Sequence, residues 1–255
     1  MKKLLLMAAL ALGCMSASAQ NTLTLSTYKG TDVTKYDGQT MDVSVSRYLF
    51  KGWNTISLPF AMSAEKVNEV FGSDCKLEKL VGIENDGVYI VLNFQDCKAN
   101  GIEANVPFIL YYTGENESKQ FTVKGAKIFA GISSLVFKAE GTGETVKMSG
   151  AQQQTEPQGL YGILAKANSE AEFVSVDETT NGFYATRCFV EMSNGNATLL
   201  KTKHLAAGEV SSIKSVVKTN DKVEVFNLSG IKVADSIEDL EPGIYVINGK
   251  TVAVK

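Results

Sequence analysis

The sequence predicts an all-β fold: an antiparallel β-sandwich body carrying one short helix, followed by a small C-terminal β module. Three observations predict it. Apolar and polar residues alternate with period two over most of the chain, as in Met41-Asp42-Val43-Ser44-Val45-Ser46, where Met41, Val43 and Val45 share one face. Turn signals separate the alternating runs at Asn85-Asp86-Gly87, Gly141-Thr142-Gly143, Asn181-Gly182 and Asn194-Gly195. The 22 glycines against 4 prolines suit tight hairpins better than Pro-rich linkers.

Taken in order, the alternation predicts strands at 41–46, 55–60, 88–94, 107–112, 120–123, 135–138, 145–148, 173–176, 183–192 and 198–201. Short strands at such spacing point to a sandwich or barrel rather than βαβ units. The helix falls after 60. Ser63 is a cap, Glu65 suits the positive end of the dipole, Ala64, Val67, Val70 and Phe71 form an apolar stripe, and Gly72 ends it. Two turns are not stable alone, so this helix is expected to lie on the sheet near the strand that starts at Trp53.

The N-terminus reads as a secretory signal over residues 1–19. Lys2 and Lys3 supply the positive charge, 4–12 the short apolar core, and Ala17-Ser18-Ala19 the small-residue cleavage site, so that the mature chain starts at Gln20. An alternative start at a lipidated Cys14 is disfavoured by the order of Ala11 and Leu12. The apolar run is too short to span a bilayer, and no later segment is long enough. The body is expected over 20–205, with a sub-boundary near 151–159 where Pro157 and Gly159 close a polar stretch. A linker is expected over 206–220 and the β module over 221–255.

The formal charge of −3, falling to about −5 without Lys2 and Lys3, leaves no basic block to neutralise phosphates, which argues against a nucleic-acid partner. Cys75, Cys97 and Cys188 remain after cleavage. Three thiols cannot all pair within one chain. They read as small buried hydrophobes, with a Cys75–Cys97 bridge as the alternative. Their spacing matches no zinc pattern, and no cofactor motif is present.

His204 is the one histidine, so any nucleophile–imidazole pair has to use it; beside Lys201 and Lys203 it reads as a surface residue at a strand end. Glu65 and Glu69 share a helix face and read as solvated. Asp74, Glu84, Asp86 and Asp96 sit at turns, where such residues serve the backbone, and Glu103 is a strand-end acid. No catalytic constellation emerges. Among the aromatics Trp53, Tyr111, Tyr112, Tyr161 and Tyr184, Trp53 reads as core. Tyr111 and Tyr112 are the candidate ligand platform, because adjacent strand residues face opposite ways and one must point outward unless both sheet faces are covered.

The tail, from Val223 to Val233 and from Leu240 to Ile247, resembles the C-terminal sorting domains of the type IX secretion pathway of Bacteroidetes. The residues that carry the resemblance are Gly230, Lys232 and Val233, then Leu240, Gly243, Ile244 and Tyr245, then the basic end at Lys255. The Pro-Asn-Pro-like opening of many such domains is missing here. Val223, Val225, Ile244, Val246, Val252 and Val254 alternate in step, so they are expected on one apolar face, with Asn248-Gly249 as a two-residue turn. A second group resembles a segment of secreted Bacteroidales proteins: Trp53-Asn54-Thr55-Ile56-Ser57-Leu58-Pro59-Phe60, then Glu103-Ala104-Asn105-Val106-Pro107-Phe108, then 183–190. That resemblance implies no activity.

The expected function is therefore an exported, non-enzymatic surface or secreted protein, with the type IX secretion machinery as a partner of its tail. The alternatives are a glycan- or host-protein-binding accessory module and a metal-independent glycoside hydrolase, which needs two carboxylates about 5–9 Å apart.

Overall fold

The structure, a computed structural model, describes residues 22–86, 88–139, 143–156, 159–164, 171–176, 182–193, 200–209, 216–219, 225–227, 232–234, 243–247 and 250–254. The signal segment 1–19 with Cys14, and Gly230, Leu240, Asn248, Gly249 and Lys255 of the tail, lie outside the described residues.

The fold is all-β. In chain order the strands are β1 (Thr22–Ser26), β2 (Thr40–Leu49), β3 (Gly52–Ile56), then helix α1 (Ala64–Phe71), β4 (Lys76–Asn85), β5 (Ile90–Asp96), β6 (Phe108–Tyr112), β7 (Glu117–Lys127), β8 (Ser133–Lys138) and β9 (Thr145–Gly150). There follow β10 (Leu160–Leu164), β11 (Glu172–Ser175), β12 (Cys188–Ser193), β13 (Leu200–Leu205), β14 (Val216–Thr219), β15 (Val225–Asn227), β16 (Lys232–Ala234), β17 (Gly243–Ile247) and β18 (Lys250–Val254). They form sheets in the orders β1-β2-β7, β13-β5-β4-β6-β3, β11-β10-β12-β9-β8-β14 and β16-β15-β17-β18. Pairing is antiparallel except for β1 on β2 and β13 on β5, which are parallel.

Three of the sheets share two cores. One core joins Val43, Val45 and Leu49 of the three-stranded sheet to Ile56, Phe108 and Leu110 of the five-stranded sheet, with Val67, Val70 and Phe71 of α1. The second joins Trp53, Leu92, Phe94 and Ile109 of the five-stranded sheet to Leu135, Phe137, Val146 and Val190 of the six-stranded sheet. Phe108 and Leu110 enter one core and Ile109 the other, which is the period-two rule with apolar partners on both sides.

Helix α1 has the bounds its caps predict. The Ser63 side chain accepts from the Lys66 amide, and Gly72 follows at φ 94°, a conformation glycine adopts without a Cβ penalty. At the β4–β5 connection Asp86 Oδ1 accepts from the amides of Val88 (2.9 Å) and Tyr89 (2.6 Å), the backbone service expected of a turn aspartate.

Several expectations are corrected. The strand read at 55–60 ends at Ile56; beyond it the Ser57 amide bonds the Thr186 carbonyl and Pro59 has no amide to give. The strand read at 183–192 begins only at Cys188. Strand β4 was not visible as an alternation because its register on β5 shifts between Leu80 and Gly82, so Leu80 and Ile83, three apart, enter the same core. The 206–220 stretch contains β14, antiparallel to β8. Cys75, Cys97 and Cys188 are all free thiols, so the bridge alternative is not realised. In the tail, Tyr245 stands opposite Val252 and Gly243 opposite Val254, whereas Ile244 faces Ala253 and Val246 faces Thr251. Directly opposed residues share a face, so this register separates Ile244 and Val246 from Val252 and Val254.

Candidate functional site

Tyr111 and Tyr112 lie in a sheet covered on both faces. Tyr112 is buried in the first core and its hydroxyl donates to Glu117 Oε1; burial and that bond together raise its pKa. Tyr111 is half-buried, edge-on to Trp53 at 5.2 Å, with Lys76 Nζ 5.6 Å from its ring. Trp53 is core, as expected, and is 3% exposed.

His204 is exposed near the end of β13, as expected of a surface histidine at a strand end. Its ring stacks on Trp53 (4.8 Å, 12°), and Nδ1 lies 2.5 Å from Oε2 of the buried Glu78. The parallel pairing of β13 on β5 brings His204 to this place. No hydrogen bond links it to a Ser, Thr or Cys among the described residues. The candidate acids serve local contacts: Glu69 pairs with Lys66, Glu103 with Lys79, Glu84 takes Asn93 Nδ2, and Asp96 accepts from the Lys98 amide. Glu65 is held below the usual carboxylate range by bonds to its own amide and to Ser63 at the helix start. Among the described residues no group of three or more His, Cys, Asp or Glu could hold a metal ion. No helix among them is long and apolar enough to cross a membrane.

The site that the structure builds lies elsewhere, at the ends of β1 and β2. The parallel register sets Ser26 beside Ser46, and the Thr27 hydroxyl continues the pairing by donating to the Ser46 carbonyl (2.6 Å). Tyr28 and Tyr48 therefore follow on the same rim, and Phe50 stands two residues on, its ring edge-on to Tyr48 at 5.0 Å. Tyr28, Tyr48 and Phe50 are 52%, 46% and 38% exposed, a cluster of large rings that folding leaves in water. The opposite wall is the loop 182–187, where Tyr184 meets Tyr28 at 4.8 Å. Between the walls is a cavity of about 460 Å³.

Arginines form its floor. Arg47 is 2% exposed; its Nη1 donates to the Thr186 carbonyl (3.0 Å) and Nη2 to the Thr55 carbonyl (2.6 Å), while Nε has no partner. Burial first, then repulsion from Arg187, drives its pKa down to about 9, and it remains cationic at neutral pH. Arg187 is half-buried, donates from Nη2 to the Tyr48 carbonyl (2.9 Å) and lies over the Phe50 ring at 6.0 Å; burial lowers its pKa too. Among the described residues no Asp or Glu lines the cavity.

Thr186 joins the two walls. It holds φ 67°, an outlier for a β-branched residue, and its buried hydroxyl has no partner. Backbone bonds keep it there: its amide donates to Ala151 O (2.7 Å), its carbonyl accepts from Ser57 N (3.0 Å), and the next residue but one, Cys188, donates to Thr55 Oγ1 (2.9 Å). Strain of about 1–3 kcal/mol at such a residue persists only where surroundings over-determine it, and it clusters at functional sites.

Of the residues at this site, Tyr184 is the one that the sequence marks as a candidate ligand aromatic, while 183–187 fall in the expected strand at 183–192. A signal for Arg47 was present: extending Met41, Val43, Val45 by two places puts an arginine in the buried phase, with Leu49 after it. The nearness of Tyr28 to Tyr48 had no local signal.

No family model matches this chain, and comparison with characterised proteins and with solved structures finds no relative either.

Proposed function

We propose that this chain is an exported, non-enzymatic protein of the cell surface or extracellular space that binds a glycan through the pocket at the ends of β1 and β2, and that its C-terminal β module serves secretion. One observation carries the binding reading: Tyr28, Tyr48 and Phe50 stay exposed around a cavity of about 460 Å³. A soluble fold has no packing reason to gather three large rings in water, whereas a pyranose presents flat C–H faces that ring faces cover while its hydroxyls stay hydrated. Among the described residues the lining holds arginines and no carboxylate, which suits binding rather than the paired-acid chemistry of a glycosidase. The export reading rests on the signal-like segment 1–19 and on the tail motif, whose Lys232, Val233, Gly243, Ile244 and Tyr245 fall in paired strands of one small sheet.

The test is a glycan array probed with the mature protein and with a Tyr48→Ala/Phe50→Ala double variant. Retention on a subset of glycans that the double variant loses, with an unchanged melting curve, is the expected result. Retention that survives the double variant, or retention on no glycan at all, would refute the pocket as a glycan site.

A further inference from the structure

We infer that the pocket selects an acidic saccharide, with sugar ring faces against Tyr28, Tyr48 and Phe50 and the sugar's carboxylate or sulfate on Arg187, backed by Arg47. This deepens the glycan reading above and rests on it.

Two guanidiniums share one small space, and among the described residues neither meets a carboxylate. Arg47 is almost wholly buried, satisfied only by two carbonyls, and keeps an unpartnered Nε. A buried cation is normally paired, because removing it from water costs several kcal/mol. Among the described residues no carboxylate supplies the compensating charge, and the second cation nearby makes the deficit worse. An anion entering the cavity supplies that charge.

Arg187 is placed to receive it. Among the described residues a single N–H of its fork is committed, to the Tyr48 carbonyl, and the planar fork suits a two-oxygen acceptor. Its position over Phe50 also joins the cationic floor to the aromatic rim, so that ring stacking and anion pairing act on a single ligand. The saccharide is favoured over an acidic peptide because the rings stand on two walls, Tyr48 and Phe50 on one and Tyr184 on the other, presenting separate faces rather than one continuous apolar slot. The chain carries a net formal charge of −3, so attraction to a polyanion is not a bulk effect.

Affinity electrophoresis of the mature protein tests this, with gels containing polygalacturonate, alginate, chondroitin sulfate, neutral dextran, neutral galactan or polyglutamate. The expected result is retardation by at least one of the three acidic polysaccharides and by neither neutral one, weakened roughly tenfold or more in Arg187→Gln and partly retained in Arg187→Lys. The galacturonate and alginate gels against the sulfate gel identify which anion is taken. Retardation by neutral polysaccharides alone overturns the anion inference and leaves the glycan reading standing. Retardation in no polysaccharide gel removes both. Equal retardation by polyglutamate, or retardation indifferent to Arg187→Gln, also overturns it, the first in favour of acidic peptides. Arg187 lies at the pocket rather than deep in the core, and an unchanged melting curve for Arg187→Gln confirms that lost retardation is not lost folding.

Discussion

Nη1 of Arg47 donates to the carbonyl oxygen of Thr186 across 3.0 Å, so a fully buried cation on β2 holds a residue in the left-handed region at φ 67°. The same guanidinium reaches Thr55 on β3 through Nη2. One side chain thereby ties the three-stranded sheet, the five-stranded sheet and the loop 182–187 together at the wall of the pocket. Removing it should affect folding and site at once.

Arg47→Lys should lose about 2–4 kcal/mol of stability, because an ammonium on a flexible stem cannot serve both carbonyls and leaves a charge buried with poorer compensation. Urea denaturation of the two proteins measures it. Hydrogen exchange should show the Thr186 and Cys188 amides losing protection before those of β12 further on. A change within about 0.5 kcal/mol would mean that the clamp contributes little.

Thr186→Gly should be neutral or stabilising by up to about 1 kcal/mol. Glycine relieves the positive φ and removes a buried hydroxyl without a partner, and both gains outweigh its greater chain entropy when unfolded. A clear loss in melting temperature would show that the threonine side chain packs to more effect than its strain costs.

Trp53→Ala should cost roughly 3–5 kcal/mol, the ordinary consequence of emptying a core site of its largest side chain. Because Trp53 stacks on His204 and meets Tyr111 edge-on, a double-mutant cycle with His204→Ala should return a coupling of about 0.5–1.5 kcal/mol. Additive losses would mean that the stacking adds nothing beyond burial.

The elements that were legible are those set by near neighbours. Ser63 and Gly72 bound α1 through contacts within four residues, and Val43 with Val45 declare their face by alternation alone. The site was mostly illegible because it is made by register. Tyr28 meets the Tyr48 rim only through a parallel pairing across twenty residues, and an alternation rule says nothing about which strands become neighbours. The segment from Phe183 to Arg187 has the aromatic and β-branched composition of a strand, but distant partners, Ser57, Ala151 and Arg47, hold it out of the sheet. Local preference and final structure diverge at the place where a function is proposed, where such conflicts are expected to be tolerated.

The three thiols should be slow to react in the native protein. Burial pushes Cys97 and Cys188 from 9.0 to about 12 and raises Cys75 as well, so at pH 8 the thiolate of the first two is depleted roughly a thousandfold against an ordinary cysteine. A disulfide-exchange reagent should count three thiols only after urea is added, with the partly exposed Cys97 first among them. Fewer than three under denaturing, non-reducing conditions would reveal a bridge.

The last prediction concerns the tail. Its strands form a sheet of their own, with β15 and β18 both paired to β17. Among the described residues no strand pairing joins this sheet to the body, so deleting 221–255 should leave a body that still melts cooperatively at nearly the same temperature. If the tail directs secretion, that truncated protein should accumulate in the periplasm. A periplasmic reporter carrying residues 205–255 should conversely reach the surface, where protease added to intact cells can remove it. Within the module, Lys232 and Tyr245 belong to the motif shared with sorting domains, so Lys232→Ala and Tyr245→Ala in the fusion should lower surface delivery without unfolding the reporter. A truncated chain that still reaches the surface, together with a fusion that stays inside, would make the tail an ordinary terminal β module and detach the export route from these residues.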